Sequence, residues 1–551
     1  MWKKTFVVYI LIFLLFLSYL LIFQNYGINL WDEGVLLNGS LRTLEGESVY
    51  VDFNGYPPGR YLLGAALFKV FGINISVIRI AVAVMTSAAV VMLYSISLKI
   101  IPPHPPLTSP LSPPSEGGEG EVAKGGLIGG FAIIPSILFL ISPAVYYNRF
   151  YPIFTIFGIY MIFWYLEKEN PTSPSSPPYE GGERGVVLAL SSILSIFFKL
   201  EIGIGIIAVA MAVMLIPPLH PPLIKGGNGG VREFKYFFLT LSIALVFLAF
   251  YYLKTIDIGS FLYDVYFHVF KISKSWGNPF PNIFSPELWR RFDIHEIFSV
   301  LLFYIPLIIY LLIFIILLRT LNPELRTPLA IILFFGIYTY NLVIWRTGFD
   351  NLIRCLPPAL ILGIYLLYLF HMKLLKWTGE KILSYAVILI LPLWFLYEMV
   401  FYGDYYTGSI GEMRKPHVPL SIVRADNIYA DPVEASWIKE ITEHIRNNTK
   451  SDDTIFAIPF NPIWYFLTDR KNPTYYEWIL PGTVKNEKEQ LKVIEQLKKR
   501  VPLFVIYADV AIDNREDRRF SNYAIPIFDY IMNNYHIEKT VGFYQIWRYG
   551  K

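Results

Sequence analysis

The chain has 551 residues, of which 54% are hydrophobic, 17% aromatic and 16% charged, with a net charge of +4. Its mean hydropathy is +0.46. That composition describes a polytopic membrane protein rather than a soluble one, and the charge balance is too even to suggest nucleic acid as a partner. A single cysteine, Cys355, excludes an internal disulfide framework, and no Cys/His cluster has zinc spacing.

The N-terminus, Met1-Trp2-Lys3-Lys4, has a basic flank ahead of an apolar run at 5–23. The run is long enough to span and no small-residue cleavage site follows, so it reads as an uncleaved anchor. Further apolar runs fall at 75–98, 127–141, 151–166, 186–198, 202–216, 234–253, 297–318, 329–344, 359–370 and 382–401. Together they predict a mainly α, polytopic bundle of about eleven helices over residues 1–401. The pair flanking Phe198-Lys199-Leu200-Glu201 admits one bent element in place of two spans. A shorter run at 61–71 reads as an interfacial helix.

Basic residues in the short loops set the orientation. Lys99, Lys124, Lys168, Arg184, Lys225, Arg232, Lys235, Arg319, Arg326, Lys373, Lys376 and Lys381 fall on the side of the N-terminus. The expectation is a cytoplasmic N-terminus in a cell inner (plasma) membrane, with the 23–75 segment outside. Three stretches near 102–126, 171–185 and 217–230 share a Pro/Gly-rich, low-complexity composition that cannot bury a core. They lack the Gly-Lys-Ser/Thr of a phosphate loop. All three fall on the cytoplasmic side, so the active face is expected opposite them.

After residue 401 no spanning run remains. Asp431-Pro432-Val433-Glu434 reads as a helix start, with an N-cap, a Pro at the first helical position and an acid three residues after the cap. Buried strands are predicted at 454–459 and 503–507, a charged helix at 485–500 and a final strand at 542–549. The region 402–551 therefore reads as a soluble, extracytoplasmic α/β domain without a catalytic motif.

The chemistry is expected in the first outer segment. Trp31-Asp32-Glu33-Gly34 places two carboxylates at a membrane boundary, where charge is costly and marks function. On a helix the two would point about 100° apart, so one can face a cavity while the other binds backbone or an arginine. Asp32 also stands where a helix N-cap would lie, and both readings stay open. Arg346, Asp350 and Arg354 would share one helical face at i, i+4 and i+8. Two guanidiniums flanking one carboxylate suit either a phosphate or a self-contained anchoring network. Lys199 with Glu201, and Arg149, read as interfacial residues or as supports for an anionic headgroup. Asp264 and His268, with Asp293, His295 and Glu296, make a divalent metal conceivable; no other cofactor is expected.

The outer segment also carries a resemblance. Trp31, Asp32, Glu33 and Gly34, then Glu45 and Gly46, Tyr50, Asp52, Phe53, Tyr56-Pro57-Pro58-Gly59 and Phe71-Gly72 resemble the GT-C superfamily of membrane glycosyltransferases. Within it the chain resembles the family-39-like members, which include protein O-mannosyltransferases and lipid A aminoarabinose transferases. The likeness is strong over about residues 1–100 and architectural to about 400, and the low-complexity inserts depart from it. It implies inverting transfer of a sugar from a polyprenyl-phosphate donor to a hydroxyl of a glycan, lipid or protein acceptor. Asp32 would be the general base and Glu33 would position acceptor or base. Arg354, Arg346, Lys199 and Arg149 would hold the donor phosphate, with Asp52 and Tyr56 as further site residues. The competing reading is a transporter or flippase of lipid-linked glycans, which would place charges near mid-membrane on inverted repeats.

Overall fold

A computed structural model describes residues 2–101, 130–139, 149–166, 183–215, 229–255, 277–320, 323–378, 415–484 and 486–550, with isolated positions at 259, 389–390, 392–394 and 397. The three low-complexity inserts lie almost wholly outside the described residues, as do Asp264, His268 and the domain boundary at 401/402.

Six of the described helices are long and apolar enough to cross a membrane. They are α1 (Trp2–Phe23), α4 (Ile75–Ile100), α9 (Gly229–Thr255) and the helices Ile294–Arg319, Pro323–Trp345 and Phe349–Thr378. Shorter apolar helices are α5 (Gly130–Phe139), α6 (Phe150–Leu166) and α8 (Leu200–Leu215). With α7 (Glu183–Phe198) these account for every predicted run up to 359–370. The last run, 382–401, lies mostly outside the described residues. The chain is thus a multi-pass membrane protein.

Helix faces follow from spacing. In α1, Ile12, Phe16 and Leu20 repeat every four residues and are buried, while Phe6, Leu11, Leu15 and Ile22 face outward. Outward apolar side chains are stable when the surrounding solvent is lipid. Several hydroxyls inside the bundle bond back to their own helix, as Ser87 Oγ does to the Ala83 carbonyl at 2.9 Å and Ser195 Oγ to the Ser191 carbonyl at 2.8 Å. Between α7 and α8 the helix is broken at Lys199, and the two 16-residue helices pack on each other. A Cβ on Gly203 would come within 2.5 Å of the Ile196 nitrogen, so the chain reverses sharply here. Two helices stand where one bent element was the alternative.

The helix ends that lead into the inserts lie together. The Lys99 ammonium sits 5.5 Å from the Tyr160 ring, Arg184 sits 5.5 Å from Trp164, and the Gly185 N–H donates to Glu233 at 2.6 Å. The opposite helix ends carry the outer segment. There α2 (Glu33–Leu44) and α3 (Gly59–Phe71) pack on each other, with Gly39 against the Tyr61 ring and Gly64 against Ser40.

Residues 415–550 form a small α/β unit. A short antiparallel pair, β1 (Val418–Pro419) and β2 (Tyr429–Ala430), precedes a four-stranded sheet of order β3 (Ile455–Ile458), β4 (Phe504–Ala508), β6 (Tyr544–Tyr549), β5 (Tyr535–Val541). The β3–β4 pair is parallel and the others antiparallel. The parallel pair needs a long crossover, which the helices Ile463–Thr468 and Glu487–Lys499 occupy. The predicted helix start holds: Asp431 accepts from the Val433 and Glu434 amides at 2.9 and 3.3 Å. Side chains alternate along β4. Phe504 and Ile506 join the core that continues into the membrane helices, while Val505 and Tyr507 face a second core. The strand at β5 and the short helix Ile463–Thr468 have no counterpart in the sequence reading.

Candidate active site

The Asp32-Glu33 segment is built by its neighbours. The Asn29 side-chain oxygen accepts from the Trp31 and Asp32 amides at 3.0 and 2.8 Å, an Asx turn that leads into α2. Asp32 occupies the N-cap position with helical backbone angles, φ −81° and ψ −35°, and its side chain makes no capping hydrogen bond. The cap reading therefore fails. Asp32 is half-buried.

Glu33 is 4% exposed and is held by Arg79 of α4, with Nε donating to Oε1 at 2.6 Å and Nη2 to Oε2 at 2.7 Å. The same guanidinium donates to the carbonyls of Gln24 at 2.5 Å and Gly27 at 2.9 Å. A two-pronged charge-assisted contact of this kind fixes both position and orientation. The two adjacent carboxylates are thus divided between roles: Glu33 is tied into the scaffold, and Asp32 beside it is not used by the helix end.

The second half of the outer segment carries cations. A Cβ on Gly59 would lie 2.7 Å from the Phe197 carbonyl, so the start of α3 sits directly on the end of α7. Arg60, 1% exposed, donates to the Phe198 carbonyl at 2.9 Å and lies 4.6 Å from the centre of the Tyr56 ring. The Lys199 ammonium is 5.6 Å from the same ring, 5.3 Å from Tyr151 and 2.8 Å from Glu201. Arg354 pairs with Asp350 at 2.6 Å and bonds Asn351 at 3.1 Å. Arg60 and Arg354 both act electrostatically on Lys199. Three cations with Glu201 and Asp350 leave a net charge of about +1 (3 − 2) around Tyr56 and Tyr151, a setting that favours an anion. Next to this turn, burial pushes the Tyr61 hydroxyl above its ordinary range, so it stays protonated, and its oxygen accepts from the Tyr56 N–H at 3.0 Å.

The other predicted residues have surroundings of their own. The helix breaks between Trp345 and Phe349, so Arg346 lies outside both helices and the three-residue face reduces to Asp350 and Arg354. The glycine at 348 and the Asn351 side chain, which donates to the Arg346 carbonyl at 2.8 Å, define that break. Arg149 is buried with its guanidinium 5.3 Å from the Phe139 ring and acts on Tyr19 of α1. Asp52 is exposed and accepts from the Ser48 amide at 2.8 Å, closing a turn. Asp293 caps the helix Ile294–Arg319, accepting from the His295 and Glu296 amides. Among the described residues, no group of three or more His, Cys, Asp and Glu side chains gathers as a metal site.

Two residues of this arrangement escaped the sequence reading. Arg79 is an arginine inside an apolar run, a position that by itself demands a buried partner. Arg60 directly follows the Tyr-Pro-Pro-Gly turn.

No protein-family model matches the chain, and no curated protein sequence matches it. Its fold is similar to solved structures. ArnT from Cupriavidus metallidurans in the apo state superposes with a TM-score of 0.51 at 10% identity, covering 99% of this chain and 98% of that one. The same protein bound to undecaprenyl phosphate gives 0.50 at 9% identity, covering 99% and 97%. The oligosaccharyltransferase of Archaeoglobus fulgidus in the apo form gives 0.52 at 10% identity, covering 91% and 69%. The polytopic helical bundle with a C-terminal α/β unit that the outer-segment resemblance implies is the fold observed, and it is shared with these structures.

Proposed function

We propose that this chain is an integral-membrane glycosyltransferase that moves a sugar from a polyprenyl-phosphate donor to an acceptor hydroxyl, with inversion, on the extracytoplasmic face. One observation carries the reading. A carboxylate that the helix end does not use, Asp32, is held beside a neighbour fully engaged by Arg79, on the same side of the bundle as the Arg60–Lys199–Arg354 cluster. The shared fold with a protein crystallised with undecaprenyl phosphate supports the donor class.

In the proposed reaction the acceptor oxygen attacks the anomeric carbon as Asp32 takes its proton. The bond from that carbon to the phosphate oxygen breaks on the opposite face, and polyprenyl phosphate leaves as an anion. It needs no proton from a general acid. Lys199, Arg60 and Arg354 stabilise the charge that builds on it. Glu33 and Arg79 hold the Asp32 turn, and the Tyr56 ring lies against Arg60 and Lys199. The segment that carries Asp32 contacts residues 415–550, through Trp31 and Phe543 for example, so the two share one side of the membrane. The basic residues of the short loops support a side outside the cytoplasm.

The test uses the full-length protein in lipid nanodiscs with a panel of sugar-loaded undecaprenyl phosphates and a mixture of envelope glycans and lipids. Mass spectrometry of released undecaprenyl phosphate reads transfer whatever the acceptor. Release from one donor class is expected. No release, with lipid-linked glycan crossing between leaflets instead, would replace the enzyme by a flippase.

A further inference from the structure

We propose that residues 415–550 complete the transfer site, with Glu477 as the positioning residue that fixes the Asp32-bearing helix against the Tyr56 turn. This rests on the transferase reading above and gives the C-terminal region a role within it.

Glu477 is 2% exposed and sits between the two arms of the outer segment. Its carboxylate accepts from Asn38 Nδ2 at 2.6 Å and from Arg42 Nη1. Asn38 and Arg42 are one turn apart on the same face of α2, so a single carboxylate grips the helix at two points. Its backbone N–H donates to Asn54 Oδ1 at 2.6 Å, and the Asn54 N–H donates to the Tyr475 carbonyl at 2.9 Å. The next residue, Trp478, packs its ring 5.6 Å from that of Tyr56. The short run Tyr475–Trp478 therefore holds α2, which begins at Glu33, and the turn that leads to Arg60.

The rest of the C-terminal region braces the same segment. Trp31 stacks on Phe543 with ring centres 6.2 Å apart and planes 8° from parallel. A Cβ on Gly34 would lie 2.2 Å from the Ile463 nitrogen, so α2 touches the Ile463–Thr468 helix backbone to backbone. Gly27 N–H donates to the Tyr429 carbonyl at 2.7 Å, and Tyr429 N–H to the Asn25 carbonyl at 2.7 Å. The residues flanking Asp32 on both sides thus rest on the C-terminal region. Arg42 also binds Glu47 and donates to the Asp52 carbonyl at 2.9 Å. Removing the Glu477 carboxylate leaves a nearly buried guanidinium short of one acceptor and the Asn38 amide short of its own. Relief of that loss requires α2 or the turn to move.

The experiment compares wild type with Glu477→Ala and the near-isosteric Glu477→Gln, each full-length in nanodiscs. Hydrogen exchange at amides 35–44 and 54–56 should quicken at least tenfold in Glu477→Ala and less in Glu477→Gln. Exchange in residues 294–319 and 349–378 should stay at the wild-type rate. Affinity for undecaprenyl phosphate should stay within twofold, because Arg60, Lys199 and Arg354 are intact. Turnover at saturating sugar-loaded donor should fall at least tenfold in Glu477→Ala, with Glu477→Gln between. Wild-type exchange at 35–44 and 54–56 in both variants overturns the proposal, as does lipid-phosphate affinity that falls in step with turnover. If the transferase reading itself fails, wild type releases no lipid phosphate, and the exchange data still decide whether Glu477 holds the two arms.

Discussion

Replacing Arg79 by alanine removes a guanidinium that is 1% exposed and bonded to four oxygens, two on Glu33 and one each on the Gln24 and Gly27 carbonyls. What remains is a carboxylate at 4% exposure without its counter-charge. Breaking a buried pair by removing one partner costs about 3–5 kcal/mol. That is roughly two to three and a half decades in the folding equilibrium at about 1.4 kcal/mol per decade. Unfolding by sodium dodecyl sulfate in mixed micelles, followed by tryptophan fluorescence, measures it. The double variant Glu33→Gln/Arg79→Met, which removes both charges while keeping volume, should recover more than half of the loss. A single-variant cost below about 1 kcal/mol would refute the argument, because a pair worth so little matches solvent-exposed ion pairs rather than a buried clamp. A double variant as unstable as Arg79→Ala would equally refute it.

Gly34→Ala should destabilise the chain, by about 1–3 kcal/mol for overpacking, although alanine is the better helix former; stabilisation in the same unfolding assay would contradict the contact with Ile463. Lys199→Ala and Arg354→Ala should each weaken undecaprenyl-phosphate binding about tenfold, measured by equilibrium titration, whereas Arg149→Ala should change it less than twofold. Equal losses at all three positions would dissolve the cluster as the phosphate site. Ser451→Cys, exposed on the C-terminal region, should react with an impermeant maleimide added from outside intact cells, over the low background of buried Cys355. Labelling from the cytoplasmic side alone would invert the topology.

The membrane helices were legible because each needs a continuous apolar run, a signal carried by composition alone. The inserts could be assigned to one side because parity of the spans is a counting argument, and Lys99, Tyr160, Arg184 and Glu233 gather at one end of the bundle. The helix start at Asp431 was legible because a cap, a proline and an acid at fixed spacing act locally. Arg346 was misplaced for the converse reason: i, i+8 spacing means a shared face only along an unbroken helix, and the break at 346–348 depends on tertiary contacts such as Asn351 to the Arg346 carbonyl. Arg79, Arg60 and Glu477 are separated from their partners by 46, 138 and 439 residues. No local pattern reports such pairs. Of the paired carboxylates, the sequence indicated that one could serve a cavity and one an arginine, and the coordinates identify Glu33 as the one that arginine holds.

The central claim is that Asp32 takes the acceptor proton. The measurement that reaches it most directly compares Asp32→Asn with wild type in the nanodisc release assay, alongside undecaprenyl-phosphate binding. Asparagine keeps the shape of the side chain and removes its basicity. The account predicts turnover reduced at least about a hundredfold with lipid-phosphate affinity unchanged. Wild-type turnover in Asp32→Asn would contradict it.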